Sequence, residues 1–177
     1  STLPANAPGV VIDTGSGAQA FDNQDVVDAT RTGGWMPWNG AMRFLPGGNA
    51  GTVTVRARAT LAAGVGAQVE LRVNGALVAT RVISSTTVQD AVFATPPIAS
   101  GDRIDVVFTN DALLNGEDRN LYVESIAARG AVLATTAAGV VIDRGEGAQA
   151  FDGVDVLPAA GYGGWLPWNG ALRFVVP

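Results

Sequence analysis

Gln68-Val69-Glu70-Leu71-Arg72-Val73-Asn74-Gly75-Ala76-Leu77-Val78-Ala79-Thr80-Arg81-Val82-Ile83 is the stretch whose reading decides the fold. Its first six residues alternate polar and apolar, as a strand must if one face meets a core and the other meets water. Asn74-Gly75 then supplies two residues that tolerate positive φ, which a two-residue hairpin turn requires. Ala76 to Ile83 returns as the second strand.

The same alternation extends outward. Thr52 to Arg58 has period two, and further strands are predicted at Val88 to Ala94, Arg103 to Thr109 and Leu121 to Ala127. Val10 to Asp13 and Val140 to Asp143 read as strands too. Gly, Pro, Asn and Ser punctuate the chain, and no helical period of useful length interrupts it. Short strands at this spacing predict an all-β protein, a jelly-roll-like antiparallel β-sandwich.

Composition narrows the chemistry. With 177 residues, 47% of them hydrophobic, the chain has material for one sizeable core, or one domain plus a fragment of another. Its net charge of -5 and scattered basic residues argue against a phosphate-tracking surface, so nucleic acid is not an expected partner. The chain has no cysteine and no histidine, which removes disulfides, thiolate metal sites and the Ser-His-Asp and Cys-His arrangements. Oxygen ligands remain, and they suit calcium. No apolar run approaches the roughly 20 residues of a membrane span, and Ser1 to Gly9 reads as linker.

The strongest internal signal is a duplication. Gly9 to Phe44 and Gly139 to Phe174 align without gaps, and roughly two-thirds of their positions are identical. Trp35 pairs with Trp165 and Trp38 with Trp168. The stretch from about Ala50 to Arg129 occurs once. An array whose unit is this middle stretch plus one flanking segment accounts for the pattern.

Thr109-Asn110-Asp111-Ala112-Leu113-Leu114-Asn115-Gly116-Glu117-Asp118-Arg119-Asn120 joins two of the expected strands. Asp111, Asn115, Glu117, Asp118 and Asn120 gather many oxygen atoms in it. Calcium takes about 6–8 oxygens, carbonyls and water among them. The spacing is not that of an EF-hand. Composition leaves two readings of this segment open, a cation loop or an ordinary polar connection.

The sequence resembles the calcium-dependent xylan-binding modules of carbohydrate-binding module family 60 and their circularly permuted relatives in family 36. The resemblance lies in Val55-Arg56-Ala57-Arg58-Ala59-Thr60, in Val106-Val107-Phe108-Thr109-Asn110-Asp111, in Glu117-Asp118-Arg119-Asn120-Leu121-Tyr122-Val123-Glu124-Ser125-Ile126 and in Trp165-Leu166-Pro167-Trp168-Asn169-Gly170. In family 60 order the core precedes the tail. Residues 49–177 are then the module, and residues 1–48 are the tail segment of a preceding unit, free to exchange between molecules and so to make a homo-oligomer.

The resemblance implies a non-catalytic polysaccharide-binding function, in which neighbouring sugar hydroxyls are chelated to a calcium held by the loop. It also implies a secreted or cell-surface location. Asp111 carries over as a ligand, with Asp118 second and Glu117, Asn120 and Asn115 as neighbours. One departure is visible: family 60 tails commonly carry a cysteine pair, and Trp168 occupies one of those positions, so packing has to replace the disulfide.

Trp165, Trp168 and Tyr122 are candidate sugar contacts, because aromatic faces match the apolar faces of pyranose rings. The alternative is that at least one tryptophan of each pair packs in the core. Asp143, Glu146, Asp152 and Asp155, mirrored by Asp13, Asp22 and Asp25, read either as a second calcium site or as solvated turn carboxylates. A glycosidase would need two carboxylates placed across a cleft, and no such pair stands out. A calcium-stabilised structural or adhesin repeat is the alternative function.

Overall fold

The structure is a computed structural model that describes residues 10–16, 26–29, 36, 39–44 and 51–177. The chain divides into two compact units, Ser1–Thr52 with Ala94–Pro97, and Val53–Phe93 with Ile98–Pro177.

Within the first unit, β1 (Val10–Thr14), β2 (Val26–Asp28) and β3 (Gly40–Phe44) form an antiparallel sheet in the order β2-β1-β3. Val10, Ile12 and Ala29 are buried there, with Met42 packed against them. Trp35, Trp38, Asp22 and Asp25 lie outside the described residues.

Residues 51–177 form a β-sandwich. One sheet runs β12-β11-β4-β7, built from β4 (Gly51–Ala59), β7 (Gln89–Thr95), β11 (Leu121–Ala128) and β12 (Ala131–Ala134), with the short β15 (Trp165–Leu166) added beside β11. The other runs β14-β13-β16-β8-β5-β6. Its strands are β5 (Ala67–Val73), β6 (Ala76–Ile83), β8 (Arg103–Phe108), β13 (Val141–Arg144), β14 (Val156–Pro158) and β16 (Gly170–Val175). The described residues contain no α-helix; short 3-10 turns lie at Gly147–Phe151 and Ala159–Tyr162.

Period two explains the core. Val53, Val55, Ala57 and Ala59 point inward from β4 and meet Val69, Leu71, Val106, Phe108, Leu172 and Phe174 of the facing sheet. In β11 the inward set changes parity, from Leu121 and Val123 to Ile126 and Ala128. A bulge between Val123 and Ser125 opposite β4 produces the change, since one extra residue turns the following side chains to the other face.

The hairpin read from Asn74-Gly75 is present, with φ of 51° and 85° at the two turn residues. The connection read as one polar loop is corrected. Ala112–Leu114 (β9) and Glu117–Arg119 (β10) pair as a second hairpin. Its turn is Asn115-Gly116, again with positive φ at both residues.

Candidate functional site

Because the segment is a hairpin, its side chains sort onto two faces. Leu113 lies opposite Asp118 and Ala112 opposite Arg119. Two residues along each strand return to the same face, so Asp111, Leu113, Asp118 and Asn120 share one side. Hydrogen bonding agrees: Asn120 Nδ2 donates to Asp118 Oδ2 at 3.0 Å and to Thr60 Oγ1 at 3.2 Å. The Asp118 carbonyl accepts the Thr60 hydroxyl at 2.6 Å.

The opposite face is structural. Arg119 is 6% exposed. Its guanidinium donates to the carbonyls of Val65 at 2.8 Å, Asn110 at 2.6 Å and Ala62 at 3.0 Å. Glu117 accepts the Ala63 backbone N–H at 2.7 Å. Asn110 accepts from the Gln68 N–H and donates to the Gly66 carbonyl. These bonds fix the hairpin against the Ala62–Val65 turn. Asp111, Asp118 and Asn120 are thus brought together, while Glu117 is engaged on the other side and Asn115 sits in the turn.

Asp111 is the unsettled group of the site. Its Oδ1 is buried without a hydrogen-bond partner, and so is Asn120 Oδ1. Burial raises the Asp111 pKa above the usual carboxylate value, and the charges of Asp118 and Glu146 raise it further. The Asp111 N–H is held by Asn169 Oδ1 at 2.7 Å, and Asn169 Nδ2 donates to Glu146 Oε1 at 2.6 Å. The Trp-Leu-Pro-Trp-Asn-Gly tail therefore delivers a second carboxylate toward Asp111.

A cleft of about 450 Å³ opens here, lined by Asp111, Glu146, Asp152, Asp155, Trp168 and Asn169 among others. Trp168 packs edge-on to Tyr162 at 5.3 Å, and the Arg144 guanidinium lies 4.8 Å from its ring centre. Such packing fixes the tail without a disulfide.

A second feature adjoins the hairpin face. Trp165 stacks on Tyr122 with ring centres 6.1 Å apart and planes 17° apart. Arg58 approaches Tyr122 at 3.8 Å from the neighbouring strand. Tyr122 is therefore flanked by Trp165 through one strand pairing and by Arg58 through the other. Trp165 is 37% exposed. Asn120 immediately precedes the strand that carries Tyr122.

Neither Trp165 nor Trp168 enters the core, which corrects the expectation that one of them does; Leu166 between them is fully buried instead. Asp143 is fully buried, with Oδ2 accepting the Gly153 N–H at 3.0 Å and lying 3.7 Å from Arg173 Nη2. Asp152 accepts the Val154 N–H, Asp155 lies 4.0 Å from Arg144, and Glu146 is taken by Asn169. Each has at least one protein partner; Asp143, however, is a buried strand residue and not a solvated turn carboxylate, and its Oδ1, like Asp111 Oδ1, lacks a hydrogen-bond partner.

Calcium requires several hard oxygen donors. Among the described residues no group of three or more acidic side chains is placed to hold a metal ion by itself. The site nevertheless offers two buried oxygens that lack partners, Asp111 Oδ1 and Asn120 Oδ1. Asp118 stands beside them, and every donor of this set is a hard oxygen. That set suits a cation which also takes carbonyl and water oxygens.

Comparison with known proteins places the chain in a family. The family of Ca-dependent carbohydrate-binding modules described as xylan-binding, CBM60, matches residues 52–143. The structure of vCBM60 in complex with galactobiose is similar, with 27% identity and a TM-score of 0.50, covering 70% of this chain and 97% of that one. A selenomethionine form of vCBM60 is 26% identical with a TM-score of 0.49, covering 71% of this chain and 90% of its own. No curated protein matches.

The sandwich and the match together define a carbohydrate-binding module. Within that class, the chain belongs to carbohydrate-binding module family 60.

Proposed function

We propose that the protein binds polysaccharide in a calcium-dependent manner and without catalysis, with Asp111, Asp118 and Asn120 holding the ion. One observation carries this reading: Asp111 Oδ1 is buried and unpartnered at the wall of a cleft that also contains Glu146 and Trp168. A buried carboxylate oxygen with no donor is costly unless a cation completes it. Calcium bound there supplies coordination positions that two adjacent sugar hydroxyls occupy.

The chain's own residues orient the sugar. Trp168 presents an aromatic surface in the cleft and Trp165 another on the adjoining strip, while Tyr122 supports Trp165. Glu146 and Asn169 are placed to accept and donate hydrogen bonds at the cleft wall. The ligand class we assign is a β-linked plant polysaccharide, xylan first. The family description and the galactobiose complex of vCBM60 support sugar binding as such. The proposed setting is a secreted or cell-surface protein.

Calorimetric titration with calcium alone tests the ion site. The protein should bind calcium and Asp111→Ala should not. Equal binding by the two proteins sinks this assignment.

A further inference from the structure

We infer that the core formed by residues 51–134 accepts either duplicated segment, and that residues 9–44 can dock in the place which residues 139–174 fill. The docking surface is the edge of β8 together with the inner face of its sheet. Its second partner is residues 9–44 of this same chain.

The described strands of the two copies pair alike. In the C-terminal copy β13 pairs with β14 through Ile142↔Leu157 and with β16 through Ile142↔Leu172. In the N-terminal copy β1 pairs with β2 through Ile12↔Val27 and with β3 through Ile12↔Met42. These registers superimpose residue for residue. Gly15 N–H reaches the Asn39 carbonyl just as Gly145 N–H reaches that of Asn169. Gly40 and Gly170 each lie directly against the carbonyl of the equivalent aspartate, Asp13 or Asp143.

The buried side chains that residues 139–174 bring to the core are matched, whereas the half-buried Tyr162 corresponds to Thr32. Val140, Ile142, Ala159 and Phe174 have Val10, Ile12, Ala29 and Phe44 as counterparts. Leu166 and Leu172 become Met36 and Met42, exchanges that preserve volume. Gly170 to Val175 pair with β8 from Phe108 to Arg103, and Gly40 to Phe44 carry the same pattern.

Chain connection permits the alternative. The Ala59 N–H bonds to the Ser85 carbonyl and Arg56 pairs with Asp90, so β4 and β7 run antiparallel and Gly51 falls beside the end of β7. The β7–β8 connection, residues 96–102, crosses from there to the start of β8, where Val176 meets Asp102. Residues 45–50 would make the same crossing. From Phe44 to Gly51 the chain can span about 23–25 Å, against a sheet separation of about 10 Å. The C-terminal copy has an equal tether, residues 135–140 between β12 and β13.

The two completed states differ at the cleft. Ser16 would replace Glu146, and Thr14 would replace Arg144. Which copy is docked therefore sets the charge beside Asp111. This consequence depends on the carbohydrate-binding reading, whereas the docking itself does not.

Full-length Leu172→Asp, Met42→Asp and the double variant test the inference by circular dichroism melting and size-exclusion chromatography. Leu172→Asp should keep the β-sheet spectrum and a cooperative transition at a lowered midpoint, as a monomer, and the double variant should lose the transition. The inference is overturned if Leu172→Asp is as unfolded as the double variant, if the double variant remains folded, or if Leu172→Asp folds only as an oligomer. A second measurement uses the cysteine-free background. Ala171→Cys with Val107→Cys should close a disulfide within one molecule, since these residues pair directly. Ala41→Cys with Val107→Cys should do so more slowly, and its failure to close, or closure only between molecules, likewise overturns the inference.

Discussion

Asn169 Oδ1 accepts the backbone N–H of Asp111 at 2.7 Å, and so joins the C-terminal tail to the acidic end of β8. The same side chain donates to Glu146. Two carboxylates from segments distant in sequence are thereby held at one cleft.

Removal of that link should disperse the site. Asn169→Ala is expected to weaken oligosaccharide binding by about tenfold, near 1.4 kcal/mol, with a small loss of thermal stability. Calorimetry of the variant beside the parent checks this. Unchanged affinity would remove Asn169 from the site.

Asp111 should act in opposite directions with and without calcium. In the metal-free protein its carboxylate is disfavoured by burial first and by Asp118 next. Asp111→Asn should therefore raise the melting temperature measured in chelator. The parent should gain about 2.7 kcal/mol at calcium one hundred times its dissociation constant, and Asp111→Asn should gain nothing. Thermal melts in chelator and in calcium give both results.

Arg119 is expected to be the principal anchor of the hairpin. Arg119→Ala leaves three carbonyls without their charged donor and should cost about 3 kcal/mol in a denaturant titration. Glu117→Ala removes one bond, to Ala63, and should cost less.

Asp102 gives the fold a defined acid sensitivity. The Ala99 N–H and the Asn74 side chain hold its pKa below the ordinary value of 3.8. A depressed pKa contributes stability that is present above the unfolded value and is lost as pH falls through the folded one. Asp102→Ala should accordingly lower the melting temperature at neutral pH, and the gap to the parent should narrow as pH falls below 3.8. A gap independent of pH would contradict the assignment.

Much of the sandwich was legible in the sequence because alternation reports burial directly. Thr52 to Arg58, Gln68 to Val73 and the Asn74-Gly75 turn stand nearly as read. The second hairpin is not evident from its sequence although Asn115-Gly116 is the same turn signal. Its arms carry Asp118 and Glu117, residues depleted in strands, and pairing with β9 overrides that preference. The bulge at Val123 to Ser125 had no sequence mark, since Glu124-Ser125 reads equally well as a polar pair.

Of the proposed site, Asp111, Asp118 and Asn120 are named from composition and resemblance. Sorting them from Glu117 required the hairpin register. Arg119 reads as a solvated charge until the Ala62–Val65 turn is placed against it. Glu146 enters only through folding that brings the tail beside β8. Leu113, 70% exposed opposite Asp118, is an apolar neighbour that no sequence pattern singled out.

The central claim is that sugar binding passes through a calcium held at Asp111. Its most direct test is a titration with xylo-oligosaccharides in calcium, repeated in excess chelator and again after calcium is restored. Binding that disappears with the chelator and returns with calcium is the predicted result. Binding that is indifferent to the chelator, or absent across oligosaccharides while calcium still raises thermal stability, would contradict it.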